Sequence, residues 1–406
     1  MINHKKIIVS ITLGEDEIEV GELIRENRQI YFKYYVSFID RGIEISPFKL
    51  KLSNEIFISP QKPFEGLFGV FADSLPDGWG RLLLDRALTS KGISINQITP
   101  LDRLAYVGAR GMGALTYKPA VDVDVQEFNI IELDTISTAV QQVLSGTSSE
   151  IIEELFNLGG SSGGARPKIQ VAYNPTTDNL IHGKNNISTG YEDWLIKFSS
   201  STDPTDIANI EFAYYKMALD CGIEMNESKL FKGLSGKMYF GTKRFDRASG
   251  RGIHLHSLAG LLHDDFSLSS LDYGHLMDCA FRLEKNVIAY EKILRLASFN
   301  VFAHNRDDHS KNFSFLMDEK GNWKFAPAYD LTFSNPSHGW HSITINGESK
   351  APGKKHLTAL AQYFKIKKGS EIIEQVEAVI KNWKYYAKEY GVEKDSLQKM
   401  ALHLPR

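Results

Sequence analysis

Residues 289–330 constrain this chain more than any other stretch. An amphipathic run, AYEKILRLASFNVFA, leads into the polar loop HNRDDHSKN (304–312), and the strand-like FSFLM follows at once. The turn DEKGN and a second strand-like segment, WKFAPAYD, complete a hairpin pattern that ends on Asp330. Six of the nine loop residues could carry charge or bind a metal. The loop is therefore a solvated turn, a metal-hydrolase site or the catalytic loop of a phosphotransferase.

Spacing separates these readings. Asp307 stands five residues before Asn312, the interval at which protein kinases place the residue that orients the substrate hydroxyl and an amide that holds magnesium. A carboxylate at 307 accepts or orients the proton of the attacking hydroxyl. The amide oxygen of Asn312 is a hard, neutral ligand suited to Mg²⁺. Lys311 would neutralise the transferring phosphoryl group, and Asp330 sits where kinases carry their second magnesium ligand. The usual Asp-Phe-Gly is here Asp330-Leu331-Thr332. The hydrolase reading would use His304, Asp307, Asp308 and His309, but their spacing matches no standard metal set.

Earlier segments add parts in the order of a kinase. GGSSGGARPK offers Gly159, Gly160, Gly163 and Gly164, whose backbone N–H groups suit a phosphate. It fails the P-loop pattern, because Ala165-Arg166 stands where Lys-Ser/Thr is required. On its own it reads equally well as a linker, with Arg166 and Lys168 favouring an anion. Lys197 lies inside the apolar strand WLIKF, where an unpaired ammonium would be costly. It either faces water from an edge or meets a phosphate and a helix carboxylate, for which Glu211 is the candidate. The helix DIANIEFAYYKMALDCG places Ala208, Phe212, Tyr215 and Leu219 on one stripe.

The rest of the chain reads as α+β. Strand patterns occur at KKIIVSITL, QIYFKYYVSFI, MGALTYKP, PKIQVAY and GKMYFGTKRFD. Helical patterns occur at DGWGRLLLDRAL, LDTISTAVQQVLSG and SSEIIEELFNL, where Ser149 is a loose N-cap candidate. Beyond about residue 247 helices dominate, including a single run over 370–390. Three units are expected: 1–120, a nucleotide-binding lobe over 121–246, and a helical catalytic lobe over 247–406.

A net charge of −3 gives no global argument for nucleic-acid binding. No apolar stretch approaches the roughly 20 residues that span a bilayer, and the N-terminal residues lack a signal-type apolar region. Cys221 and Cys279 are far apart, without metal spacing, and read as buried thiols of a reducing compartment. A cytoplasmic location is expected.

Taken together, FGVFADSLPDGWGRLLLDR, SSGGARPKI, KRFDR, NRDDHSKNFSFL and PAYDL resemble the HipA family of serine/threonine kinases, the toxins of bacterial toxin–antitoxin pairs. The resemblance covers almost the whole chain. It implies a bilobed protein-kinase-like fold with an additional N-terminal mixed α/β subdomain and a mainly helical C-terminal lobe. It also implies ATP and Mg²⁺ as cofactors, with Lys197 on the phosphates, Asp307 as catalytic base, and Asn312 and Asp330 on the metal. Gly163, Gly164, Lys168 and Lys311 would line the nucleotide. TKRFD, with Lys243 and Phe245, matches the hinge that meets adenine through its backbone. Ser161 or the adjacent Ser162 would be autophosphorylated. The implied partners are a protein substrate such as an aminoacyl-tRNA synthetase and a HipB-like DNA-binding antitoxin, with DNA reached only through the antitoxin and no membrane contact. The competing class is a catalytically inactive kinase-like module that binds nucleotide and antitoxin. Asp308 has no assigned role, and DSLPDGWG has no catalytic logic of its own.

Overall fold

The computed structural model describes residues 4–90, 92–121, 130–146, 152–159, 164–182, 190–336 and 339–405. The first sheet is antiparallel and grows from a hairpin, β1 (Lys6–Leu13) and β2 (Asp16–Glu26), turning at Gly14. Ile7, Val9 and Ile11 alternate along β1 and are fully buried, the period of a strand with one covered face. β3 (Gln29–Tyr34) and β4 (Phe57–Ile58) extend one side, and β5 (Leu115–Lys118) pairs with β1 on the other, giving the order β4-β3-β2-β1-β5. The strand expected over QIYFKYYVSFI stops at Tyr34. Val36–Ile39 (α1) is instead a helical turn that stacks Phe38 on Tyr34.

Three helices leave this sheet: α2 (Gly69–Ala72), α3 (Gly78–Ser90) and α4 (Pro100–Val107). A capping box between Thr99 and Asp102, with Pro100 in the first turn, starts α4. α3 takes a different direction. Its Trp79, Leu83, Leu84 and Leu88 join α5 (Leu133–Ser145) and α6 (Ile152–Gly159) in a second core. The Ser149 cap lies outside the described residues.

That core covers one face of an antiparallel sheet formed by β6 (Lys168–Asn174), β7 (Asn179–His182), β8 (Glu192–Lys197), β9 (Ser228–Lys232) and β10 (Met238–Lys243), in the order β7-β6-β8-β10-β9. On its other face Lys168, Lys197 and Phe240 form one cross-strand row. There α7 (Ile207–Asp220) packs Ala208 and Tyr215 against Phe240. The single stripe expected for α7 needs correction. Leu219 is 37% exposed, while Ile210, Ala213, Tyr214 and Met217 are buried in the core shared with the helical lobe. The helix is sandwiched between sheet and helical lobe and so carries two apolar faces, which one 3–4 stripe does not describe.

The remaining chain forms a short ribbon, β11 (Arg247–Ala248) with β12 (Arg251–Gly252), and the sheet β13 (His254–Ser257), β14 (Ser314–Met317) and β15 (Trp323–Phe325). Around that sheet lie α8 (Leu258–Leu262), α9 (Tyr273–Glu284), α10 (Ile288–Phe302), α11 (Lys354–Tyr363), α12 (Gly369–Lys381), α13 (Trp383–Glu389) and α14 (Lys394–Ala401). The helix expected over 370–390 is two helices, broken at Asn382 where Trp383 turns in against Tyr214. Among the described residues no helix is long and apolar enough to cross a membrane.

Candidate active site

The end of β8 delivers Lys197 to the boundary between the second sheet and the helical lobe. Its ammonium lies 3.3 Å from Glu211 Oε1 on α7 and is hydrogen-bonded to Asp330 Oδ1. With the residue only 9% exposed, Lys197 does not face water from an edge. Burial alone would lower its pKa, but the carboxylates of Asp330 and Glu211 more than offset this and hold it above the usual lysine value. Burial would conversely raise Asp330, yet Lys197 and Lys168 hold that carboxyl far below its ordinary range. Both groups are thus charged at neutral pH.

Arg166 completes the ion cluster. Its guanidinium reaches Glu211 Oε1 at 2.6 Å and Asp203 Oδ1 at 3.0 Å, so Glu211 is shared by two cations. Lys168 lies next to Lys197 in the cross-strand row and is buried. Burial lowers its ammonium pKa despite the nearby Asp330. Gly164 has a φ of +96°, which favours glycine, and a Cβ there would come within 2.5 Å of Lys168 Nζ and push the ammonium aside. Gly163, Ser161 and Ser162 lie outside the described residues.

Asp330 itself has φ +53°, a left-handed conformation that aspartate tolerates better than most residues. Its neighbour Tyr329 donates to the carbonyl of Lys311 at 2.6 Å and shares a 2.6 Å hydrogen bond with Ser314. The strand expected to end on Asp330 stops at Phe325, so the aspartate lies in the segment beyond β15, and Tyr329 fastens that segment to the loop that follows α10.

Within that loop the consecutive carboxylates at 307 and 308 behave oppositely. The Asp307 side chain is 60% exposed, with His309 Nε2 3.8 Å away. Asp308 is buried and accepts from Tyr273 Oη at 2.9 Å, His341 Nδ1 at 2.8 Å and the Ser342 backbone at 2.8 Å. Asn300 donates to Tyr273 Oη in turn, at 2.8 Å, so Asp308 anchors the loop to α9, α10 and the 341–342 segment. Asn312 donates Nδ2 to the Asp307 carbonyl at 2.7 Å, which leaves its amide oxygen for another partner. His304 stacks on Phe333 and His309 packs on Phe266. Among the described residues no three His, Cys, Asp or Glu side chains converge as a metal site, so the four-ligand hydrolase arrangement has no geometric support.

TKRFD divides into two parts. Lys243 pairs with Glu192 at 2.6 Å, and Phe245 packs on Tyr329 with ring centres 5.3 Å apart, at the edge of the site. Arg244 and Asp246 are buried instead. Asp246 accepts from Arg244 at 2.8 and 2.9 Å, from Arg247 at 2.8 Å and from the Gly113 backbone at 2.8 Å. Arg247 also donates to the carbonyls of Gly111 and Gly113. This node ties the end of the first domain to the junction of the two lobes.

Sequence reasoning missed two more acids, both in DSLPDGWG. Asp73 accepts from His256 Nδ1 and the Ser257 backbone and hydroxyl at 2.6–2.7 Å. Ser46 Oγ lies 3.0 Å from His256 Nε2. Serine, histidine and aspartate thus stand in a hydrolase-like line, but Ser46 is 1% exposed and His256 fully buried, so the line is a seam between domains. Asp77 binds Lys311 Nζ at 2.7 Å and accepts from the Gly164 backbone. The sequence signal for Asp77 was its place between Pro76 and Gly78, residues that set the turn before α3; Asp73 had none.

A five-stranded sheet with a buried lysine–glutamate pair, above a helical lobe with an Asp-x₄-Asn loop and an aspartate beyond the β14–β15 hairpin, defines a kinase-like α+β fold. The HipA N-terminal domain family matches residues 13–118, and the HipA-like C-terminal domain family matches residues 160–383. With more than half of its length in the second match, the chain belongs to the HipA family. The solved complex of HipA, HipB and operator DNA from the toxin–antitoxin system of Shewanella oneidensis MR-1 contains a similar chain. It is 18% identical, with a TM-score of 0.65 over 98% of this chain and 92% of that one. The Helicobacter pylori proinflammatory kinase CtkA covers 52% of this chain and 88% of its own at 13% identity, and its TM-score of 0.35 is too low to bear on the fold. No curated protein matches the chain.

Proposed function

We propose that the chain is a Mg²⁺-dependent serine/threonine protein kinase that acts as the toxin of a toxin–antitoxin pair. The observation that carries this reading is Lys197, a buried ammonium bonded at once to Glu211 and Asp330. That is the arrangement that positions ATP phosphates beside a metal ligand in kinases. The exposed Asp307 would accept the proton of a serine or threonine hydroxyl. The hydroxyl oxygen then bonds to the γ-phosphorus as the bond to the β,γ-bridging oxygen breaks and ADP leaves. Lys168, Lys197 and Lys311 would offset the charge on the phosphates.

The donor set fits magnesium: the Asn312 amide oxygen and the Asp330 carboxylate are hard oxygen ligands. Asp330 Oδ2 is the oxygen its Lys197 bond does not use. Bound there, the ion would neutralise charge on the β- and γ-phosphates. Gly164 and Phe245 would border the nucleotide, with Lys243 at the adjoining rim. Autophosphorylation at Ser161 or Ser162 would place about −1.5 to −2 charges on the Gly-rich loop and oppose ATP. The Shewanella complex supports a HipB-like antitoxin as partner, with DNA reached through it. A translation factor such as an aminoacyl-tRNA synthetase is the proposed target, in the cytoplasm.

The test is incubation of dephosphorylated protein with γ-labelled ATP and Mg²⁺, followed by phosphosite mapping. Label on Ser161 or Ser162 that is absent from Asp307→Ala supports the kinase. Folded protein that binds ATP but takes up no label, alone or with acceptor proteins, would be the inactive module instead.

A further inference from the structure

Asp77 has no part in the chemistry above, yet it touches two of its components. One carboxylate oxygen lies 2.7 Å from Lys311 Nζ, and the other accepts the backbone N–H of Gly164. Residues 77, 164 and 311 come from three distant parts of the chain and meet only here. The contact is tightly built. The Trp79 N–H donates to the Gly164 carbonyl at 3.1 Å. Gly78 has φ +44°, and a Cβ on it would come within 2.5 Å of that carbonyl oxygen and 2.7 Å of Ala165 Cα. No side chain fits at 78 without moving the backbone at 164–165.

The carboxylate is also held firmly in place. α3 begins immediately after it and is sunk into the second core through Trp79, Leu83 and Leu84. Burial would raise the Asp77 carboxyl, but Lys311, the Gly164 N–H and Lys168 hold it below its usual range, so it is an anion at neutral pH. Lys311 is steadied from another side by the Phe266 ring, 4.6 Å from its Nζ. A lysine left free would spread over many rotamers and lose that freedom only on binding. Here the charge is fixed beside Gly164 before any nucleotide arrives.

We propose that Asp77 is a positioning residue for phosphoryl transfer: it holds the Gly164 end of the Gly-rich segment and the Lys311 ammonium in register on the transferring phosphoryl group. This rests on the kinase reading. Asp77 acts through its two partners and does not itself touch the substrate. The N-terminal signature DSLPDGWG thereby acquires a catalytic reason, because its second acid is the link from α3 to the phosphate site.

Asp77→Asn isolates the charged arm. Asparagine keeps an acceptor for the Gly164 N–H at nearly the same volume and removes the counter-charge of Lys311. Initial rates of phosphate incorporation from γ-labelled ATP, into the chain itself and into dephosphorylated casein, are measured across ATP concentrations. Wild type, Asp77→Asn, Lys311→Ala and the double variant are compared, with fluorescent mant-ATP binding and thermal midpoints alongside. We expect Asp77→Asn to lose about 10- to 100-fold in maximal rate, the scale of a small misplacement near the reacting atoms. Half-saturating ATP and mant-ATP affinity should stay within about threefold, and the double variant should be no slower than Lys311→Ala alone. An unchanged maximal rate in Asp77→Asn overturns the proposal. So does a double variant whose losses multiply, which would mean that Asp77 and Lys311 act independently. Wild type that incorporates no label removes the kinase reading and this inference with it, whereas active wild type with an indifferent Asp77→Asn removes the inference alone.

Discussion

Asp307→Ala and Asp308→Ala change adjacent carboxylates and should have opposite consequences. Asp308 is buried, and its removal strands the donors of Tyr273 Oη and the Ser342 backbone. His341 can move its proton to the other ring nitrogen, so we count two firm losses and not three. A buried donor left without a partner costs about 1–3 kcal/mol. Two of them, with the vacated side-chain volume, give about 3–5 kcal/mol. At about 2 °C per kcal/mol for a large chain, the thermal midpoint should fall by roughly 5–10 °C. Asp307 is 60% exposed and its carboxylate accepts from no backbone donor among the described residues, so Asp307→Ala should stay within about 0.5 kcal/mol of wild type. It should instead lose at least about 100-fold in phosphate transfer, as expected for a missing general base. Differential scanning fluorimetry and the labelling assay read both quantities on the same preparations. If Asp308→Ala melts within 1 °C of wild type, the anchoring argument fails. If Asp307→Ala melts as early as Asp308→Ala should, the division of labour between the two acids is wrong.

Three further outcomes follow from the same physical reasoning. Asp246→Ala strips the carboxylate from two buried guanidiniums, Arg244 and Arg247, and should destabilise by about 3–5 kcal/mol; adding Arg247→Met should recover part of the lost thermal midpoint, and a further drop would contradict the unpaired-charge account. Gly78→Ala should weaken mant-ATP binding and lower the melting point, because its Cβ would strike the Gly164 carbonyl; unchanged binding would mean that the 78–164 contact does not shape the site. Burial pushes the imidazoles of His254 and His263 down to about 4, so the unfolded chain takes up their protons first as pH falls. Their contribution to stability is therefore complete above about pH 6.5 and is lost progressively towards pH 4. Below that, protonation of Asp246 and Asp330, both depressed in the fold, should add a second loss. Melting curves between pH 4 and 8 check the sign, and a midpoint that rises on acidification from pH 7 to 5 would contradict it.

The legible parts of the sequence were those with local causes. β-Branched composition marked β1, 3.6-residue periodicity marked α5 and α10, and the Asp318–Asn322 turn marked the β14–β15 hairpin. Glu211 was proposed as the Lys197 partner on charge alone, and it lies 3.3 Å away. Illegible were features whose cause lies elsewhere in the chain. The break at Asn382 reflects where Trp383 finds Tyr214, and the second face of α7 reflects the helical lobe behind it. Spacing singled out Asp307, but the role of Asp308 was not legible because its partners, Tyr273 and His341, are 35 and 33 residues distant.

The same reasoning explains why the N-terminal signature resisted local interpretation. Asp73 and Asp77 serve partners at 256–257 and at 164 and 311, and Gly113 meets Asp246 through its backbone. Each contact crosses from the first third of the chain to the region of the second sheet or to the helical lobe. A carboxylate in such a place satisfies two conditions at once. It supplies the acceptor that a buried histidine needs or the counter-charge that a buried lysine or arginine needs, and it fixes the relative placement of elements that the backbone does not connect directly. α3 adds to this, since a helix from the first third of the chain fills the core beneath the Lys168–Lys197 strands. The residues before 120 are therefore part of the framework of the proposed phosphate site, and a force that shifted them would reach Lys311 through Asp77, and Gly164 through Asp77 and the Trp79 backbone.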